Sequence, residues 1–202
     1  MINPERDLRT VEAMVVDLKP YLLSNVLYWQ LSDSRPGYPL PRGTLGGMFL
    51  RDQRLEAIYD DLSMEQRERL EYARSGMRAE LAHWVVQAEM KVQLEVKARI
   101  RGWRIFLSEC EDNPRRYQDE YPTQVGSRTI IQLFDERLPR AVRGRGLMTQ
   151  VSYLDGQLLR ISTREGFVWD ERLQSAFPET PYWWLYVLPV PEDQRIDPDD
   201  VR

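Results

Sequence analysis

Residues 63–114, SMEQRERLEYARSGMRAELAHWVVQAEMKVQLEVKARIRGWRIFLSECEDNP, decide the fold of this 202-residue protein. Ser63 followed three residues later by Gln66 matches a capping box, which marks the start of a helix. No proline interrupts the chain from Met64 to Asp112, and Asn113-Pro114 then supplies a stop signal. The pattern therefore predicts one helix over about 64–112.

The apolar residues of this predicted helix form one stripe. At 100° per residue they align within about a quarter-turn over the first two-thirds of its length. The residues of this part are Leu70, Met77, Leu81, Trp84, Val85, Ala88 and Val92. The stripe then drifts round the axis through Val96, Ile100, Trp103, Leu107 and Cys110.

The predicted length sets a geometric problem. A straight helix of this size would measure about 70 Å, whereas a compact chain of 202 residues has a diameter of about 40–45 Å. We therefore expect either a bend, at Gly76 or Gly102, or a second copy of the chain that covers the exposed part of the stripe.

Further helices are predicted on both sides of the long one. Asn3-Pro4 is an N-cap followed by proline at the first helical position, and we expect helix to continue past a kink at Pro20 as far as Leu31. Thr44 is a second cap. Apolar spacing predicts two more helices, over Val125–Leu138 and Leu147–Ile161.

The C-terminal region is rich in aromatic residues between Phe167 and Tyr186. Residues 182–187 are too few for their periodicity to distinguish a helix from a strand. We expect this segment to pack across the helices and close the core. The fold class is accordingly all-α: a helical bundle built on one long bent helix (about 64–112), in a single domain over 1–190 with an acidic flexible tail over 191–202.

Composition narrows the function classes. Charged residues make up 30% of the chain but nearly cancel to a net charge of −4, which argues against a dedicated nucleic-acid binder or membrane-surface protein. No run of about 18 apolar residues is present to span a membrane. The one cysteine, Cys110, excludes an intrachain disulfide. A cytoplasmic location is the expectation.

The one histidine, His83, lies in two short patterns. Arg78 and His83 have the Arg-x4-His spacing of HEPN-type ribonucleases, in which such residues would act as general acid/base and stabilise phosphate charge. The similarity covers six residues and identifies no family. Glu80 and His83 match Glu-x-x-His, but a di-iron bundle needs this motif twice. We therefore expect neither a metal nor a cofactor.

Glu95 and Arg99 are charged residues within the angular window of the apolar stripe, four positions apart. They form either a solvated pair, if the stripe moves away here, or a buried structural pair. A third alternative is a polar site whose charges face a ligand or a second subunit.

Two further groups are candidates for binding. Arginine supplies 25 of the 28 basic residues, and Arg140, Arg143 and Arg145 cluster in one loop, as Lys97, Arg101 and Arg104 do on one helical face; such clusters can hold a phosphate or an acidic partner. Trp183 and Trp184 belong to the aromatic segment, which can also anchor an interface or line a pocket.

The sequence contains no convergent set of acid, base and nucleophile. It therefore favours a non-catalytic helical interaction or assembly protein, with a homo-oligomer or another protein as the partner. The alternative function is an enzyme or binder that acts on RNA or a phosphorylated ligand through Arg78, His83 and the arginine-rich surface.

Overall fold

The computed structural model describes residues 2–32, 39–143 and 146–194. Almost all regular structure in these ranges is helical, and one small two-stranded sheet accompanies the helices. The all-α class predicted from the sequence is therefore confirmed. The chain divides into two compact units, Met1–Glu95 and Val96–Arg202.

The described residues of the first unit form four helices and the beginning of a fifth. These are α1 (Pro4–Val16), α2 (Leu18–Leu23), α3 (Leu45–Ala57), α4 (Met64–His83) and α5 (Val85–Asp112), with a 3₁₀ turn at Tyr59–Asp61. Helix α1 packs against both α3 and α4. Its apolar face, which includes Leu8 and Val11, is completely buried, so α1 forms the centre of this unit.

The predicted caps of these helices are present. Asn3 Oδ1 accepts a hydrogen bond from the Arg6 amide, and Pro4 follows at the first helical position. Thr44 caps α3 through the Gly47 amide. Ser63 and Gln66 form both hydrogen bonds of the capping box that starts α4. Local sequence signals therefore fix three helix starts in this unit.

The long helix breaks at Trp84, not at Gly76 or Gly102 as predicted. Trp84 has φ −110° and ψ 44°, which are not helical values. Gly76 instead allows a close contact with α1, because a β-carbon there would lie 2.9 Å from Val15 Cγ1 and one of the two would have to shift. Gly102 lies within α5 with open space around it. Neither glycine therefore breaks the helix.

The prediction of helix as far as Leu31 was also wrong. Helix α2 ends at Leu23, where the Ser24 hydroxyl donates to the Tyr21 carbonyl. Such a local side-chain bond offers the backbone an alternative to continued helix. Farther on, Trp29 and Gly43 exchange two backbone hydrogen bonds of 2.8 and 2.9 Å.

The second unit begins within α5 and adds short helices and the sheet. They are α6 (Pro114–Tyr117), α7 (Tyr121–Gln124), α8 (Gly126–Arg137), α9 (Pro139–Val142), α10 (Leu147–Ile161), β1 (Ser162–Arg164), α11 (Glu179–Tyr182) and β2 (Val187–Pro189). Its 3₁₀ turns are Gln118–Glu120, Glu171–Ala176, Trp183–Tyr186 and Glu192–Gln194. Strands β1 and β2 pair antiparallel, with Thr163 opposite Leu188. Both helices predicted here are confirmed, as α8 and α10.

Residues 182–187 combine the two alternatives that periodicity left open. Trp183–Tyr186 is a 3₁₀ turn, and the chain then enters β2 at Val187. Among the helices of the described ranges, none combines the length and apolarity that crossing a membrane requires. Of the predicted tail, residues 195–202 lie outside the described residues.

Candidate functional site

A buried carboxylate holds the start of α3. Glu95 Oε1 accepts a hydrogen bond of 2.8 Å from the Thr44 hydroxyl, and Oε2 accepts one of 3.0 Å from the Gly46 amide. Thr44 Oγ1 in turn accepts from the Gly47 amide at 3.0 Å. Carboxylates are favoured at a helix N-terminus, where the amides are unpaired and the helix dipole is positive. The fold therefore accounts for the buried charge of Glu95 without a ligand.

Lys91, one turn before Glu95, is also buried and holds the chain that follows α2. Its Nζ lies 3.0 Å from Ser24 Oγ and also donates to the Val26 carbonyl. The same ammonium lies 4.3 Å from the centre of the Tyr21 ring, a cation–π distance. Burial lowers the pKa of Lys91. Lys91 thereby ties residues 24–26 to α5.

Three aliphatic side chains on α5 point into solvent. Val86 is 63% exposed, Met90 66% and Leu94 43%. They are spaced four residues apart and therefore form one row on the surface of the helix. We call Val86, Met90 and Leu94 the α5 ridge.

Two more aliphatic side chains of the first unit are exposed near residues that Lys91 binds. At about 100° per residue, Leu94, Met90 and Val86 follow Lys91 round the helix in one direction, at about 60°, 100° and 140°. The segment that Lys91 binds through the Val26 carbonyl carries exposed Leu23 and Val26. We call Leu23, Val26 and the α5 ridge together the apolar patch.

The apolar patch differs in charge between its two parts. Residues 20–32 contain no charged residue, although charged residues make up 30% of the chain. Beside the α5 ridge, positions 87 and 93 are glutamines, whereas Glu89 is adjacent to Met90 and the exposed Lys97 lies one turn beyond Leu94. A large exposed apolar surface is typical of a protein-binding site.

Arg78 and His83, the candidate catalytic residues, both lie on the surface of α4. The His83 ring contacts the Trp84 ring edge-on, with 4.8 Å between ring centres. Within the described ranges, no group of three or more histidine, cysteine, aspartate or glutamate side chains is placed to bind a metal.

Two of the three arginines of the predicted loop cluster lie in the described residues. Arg140 is exposed, and so is Arg143, which forms an ion pair of 2.9 Å with Asp135. The side-chain hydrogen bond to Asp135 raises the pKa of Arg143. Arg145 lies outside the described residues, and Arg99 is half-buried.

The aromatic segment of the second unit is held inside its core. Trp184 is 1% exposed, and its indole N–H donates to Thr129 Oγ1 at 3.0 Å. The Arg128 guanidinium lies 3.6 Å from the centre of the Trp184 ring and makes two hydrogen bonds to Asp155, of 2.7 and 2.9 Å. Trp183 is half-buried and contacts Trp184 edge-on. Trp184 is therefore inaccessible to a ligand or partner in this conformation.

Sequence reasoning missed the apolar patch. The predicted stripe lies on the opposite side of α5 from Met90, and Val85, which was assigned to it, is 48% exposed. The signal was nevertheless present, because valine, methionine and leucine recur at 86, 90 and 94, away from the stripe.

The fold and surface together define an all-α protein with an exposed apolar patch. Comparison with protein families, with curated proteins and with solved structures found no match for this chain. The residues themselves must therefore support any statement about its function.

Proposed function

We propose that this protein is a non-catalytic helical interaction protein, and that it binds another protein through the apolar patch. One observation carries the proposal: a row of aliphatic side chains 43–66% exposed, in a chain of which 30% is charged. Burying each such side chain would contribute about 1 kcal/mol or more to binding. The partner surface we expect is apolar.

The anchoring of the patch supports this proposal. Its α5 part lies on a helix, and Lys91 fixes its other part through Ser24 Oγ and the Val26 carbonyl. A surface that is already ordered loses little entropy when it binds. The nearby polar groups, Lys91 and Glu95, are engaged within the fold.

We also propose that the protein works in the cytoplasm. Cys110 is a free, fully buried thiol, and burial raises its pKa to about 12. A lone cysteine without a partner for an intrachain disulfide is typical of a protein in a reducing compartment.

Site-specific photo-crosslinking tests the proposed function. A photoreactive amino acid replaces Met90 in the full chain, in cells that make the protein, and mass spectrometry identifies the crosslinked product. The identified partner is then purified and titrated against the wild type and Met90→Glu. We expect Met90→Glu to weaken binding at least 10-fold, because it places a charge in a surface that must be desolvated.

Tyr72 provides the matched control position. It is 86% exposed on α4 and lies outside the apolar patch. The same photoreactive residue at position 72 should give none of the product obtained at 90. Equal products at both positions, or none at 90, would contradict the proposed function.

A further inference from the structure

The part of α5 that belongs to the second unit carries three cations in one row on its solvent side. At about 100° per residue, Lys97, Arg101 and Arg104 lie within about 60° of one another round the helix, and all three are exposed. We call them the basic row. We propose that the basic row binds an acidic segment of a partner protein, whose carboxylates pair with the three cations. The basic row shares no residue with the apolar patch, so this inference goes beyond the proposed function.

The basic row lacks the carboxylates that accompany other arginines of this chain. Arg74, for example, forms an ion pair of 2.7 Å with Asp52. Within the described ranges, by contrast, no carboxylate forms an ion pair with any member of the basic row. Arg104 Nη2 donates a hydrogen bond of 3.1 Å to Gln150 Oε1, which is neutral. The positive charges of the row are therefore available to an external anion.

The chain around the basic row does not compensate its charge. Residues 96–108 include four basic residues and no acidic one, although the whole chain has a net charge of −4. Helix α10, which Arg104 contacts through Gln150, has no charged residue before Asp155. The Asp155 carboxylate already accepts two hydrogen bonds from Arg128. A surface of one sign attracts a partner of the opposite sign.

An acidic protein segment fits the basic row better than a nucleic acid does. Ile105, four residues after Arg101, is 52% exposed beside the row and offers an apolar contact to a protein side chain. The row spans only about 10 Å along the helix axis and can reach few phosphates. Proteins that bind single strands use grooves that cover about 4–16 nucleotides, with aromatic rings on which bases stack. The aromatic residue within the row, Trp103, is 2% exposed.

The spacing of the basic row specifies the arrangement of carboxylates that it can bind. Its members are separated by four residues and then by three, which correspond to about 6 and 4.5 Å along the axis. A partner helix with acidic residues at the same two spacings can place a carboxylate opposite each cation, and the two arginines can bind theirs bidentately. Exposed ion pairs are individually weak, so we expect each to strengthen binding by about 2–5-fold.

Fluorescence anisotropy with a labelled synthetic peptide and the full chain tests the inference. The peptide is an alanine-rich helix former with three glutamates at spacings of four and three, and a second peptide has glutamines in their place. The glutamate peptide should bind at least 10-fold more tightly at about 50 mM salt, and this difference should shrink at about 300 mM because salt screens exposed charges.

Arg101→Glu tests the basic row itself. It replaces attraction by repulsion and should weaken binding of the glutamate peptide at least 5-fold, whereas Arg101→Lys, which keeps the charge, should stay within about 2-fold of the wild type. Arg78→Glu is the matched control, because Arg78 is exposed on α4 and its replacement changes the net charge equally. Both positions are exposed, so the variants should fold, which circular dichroism will check.

Each outcome decides for or against the inference. Equal binding of the two peptides, or an equal effect of Arg101→Glu and Arg78→Glu, would overturn it. Tighter binding of an RNA oligonucleotide with the same net charge as the glutamate peptide would also overturn it, since the ligand would then be a nucleic acid. Crosslinking at position 90 examines a different set of residues, so failure of either proposal leaves the other standing.

Discussion

The α5 ridge and the Trp184 segment are both apolar, yet they lie in opposite environments. Val86, Met90 and Leu94 are 43–66% exposed, whereas Trp184 is 1% exposed. From apolarity and size alone, the tryptophans were the better candidates for an interface. Their burial shows that a residue's type says less about its role than the partners available to it.

Hydrogen bonds stabilise the buried Trp184. Tryptophans that are buried usually find an acceptor for the indole N–H, and Thr129 Oγ1 supplies it for Trp184. The Tyr121 hydroxyl donates to the Trp184 carbonyl at 2.6 Å, so the backbone is satisfied too. The α5 ridge has no comparable partners, because its side chains carry no group that can form a strong hydrogen bond.

The largest expected effect is the loss of Trp184. Trp184→Ala should lower the free energy of unfolding by about 3–5 kcal/mol, because it leaves a cavity and removes the ring on which Arg128 stacks. The midpoint of thermal unfolding should fall by about 10 °C. Calorimetry or thermal circular dichroism measures both quantities.

Trp183→Ala is the control for this substitution. Trp183 has the same side chain in the same 3₁₀ turn but is only half-buried, so its loss should cost less than half as much. Equal destabilisation by the two variants would show that burial of Trp184 does not explain its importance.

A medium effect is expected at Glu95. Glu95→Gln keeps the size of the side chain but replaces one acceptor oxygen with an NH₂ group, which cannot accept from both Thr44 and Gly46. The free energy of unfolding in urea should fall by about 1–3 kcal/mol. Glu89→Gln, on the same helix but half-buried, should change it by less than about 0.5 kcal/mol. If Glu95→Gln were as stable as Glu89→Gln, the Glu95 carboxylate would not stabilise the start of α3.

Local signals predicted much of the fold. The caps at Asn3, Thr44 and Ser63 each depend on residues within four positions, and all three are present. Helix α10 matches its predicted bounds, because Gly146 precedes it, Gly166 follows it and it has one apolar face.

Long-range contacts could not be predicted from the sequence. Gly76 is a glycine because Val15, 61 positions earlier, packs against it, and no local pattern records that contact. Likewise, Glu95 was recognised as anomalous within an apolar stripe, but its Thr44 and Gly46 partners follow only from the tertiary fold. The position of Trp84 as the break in the long helix has no signal in the residues around it.

The smallest expected effect is at Lys91. Because its amine is buried, it should make the free energy of unfolding depend on pH. Burial lowers its folded-state pKa, so between that value and the ordinary 10.5 the unfolded chain binds more protons than the folded chain. The free energy of unfolding therefore rises with pH in this window. Relative to Lys91→Met, the wild type should become more stable as the pH rises toward 10.5, by less than Glu95→Gln costs. Urea unfolding at several pH values measures the difference.

Gln87→Met, one turn earlier, is the control. It has no titrating group, so its free energy of unfolding should differ from that of the wild type by the same amount at every pH. A difference for Lys91→Met that is also independent of pH would show that the Lys91 amine is solvated.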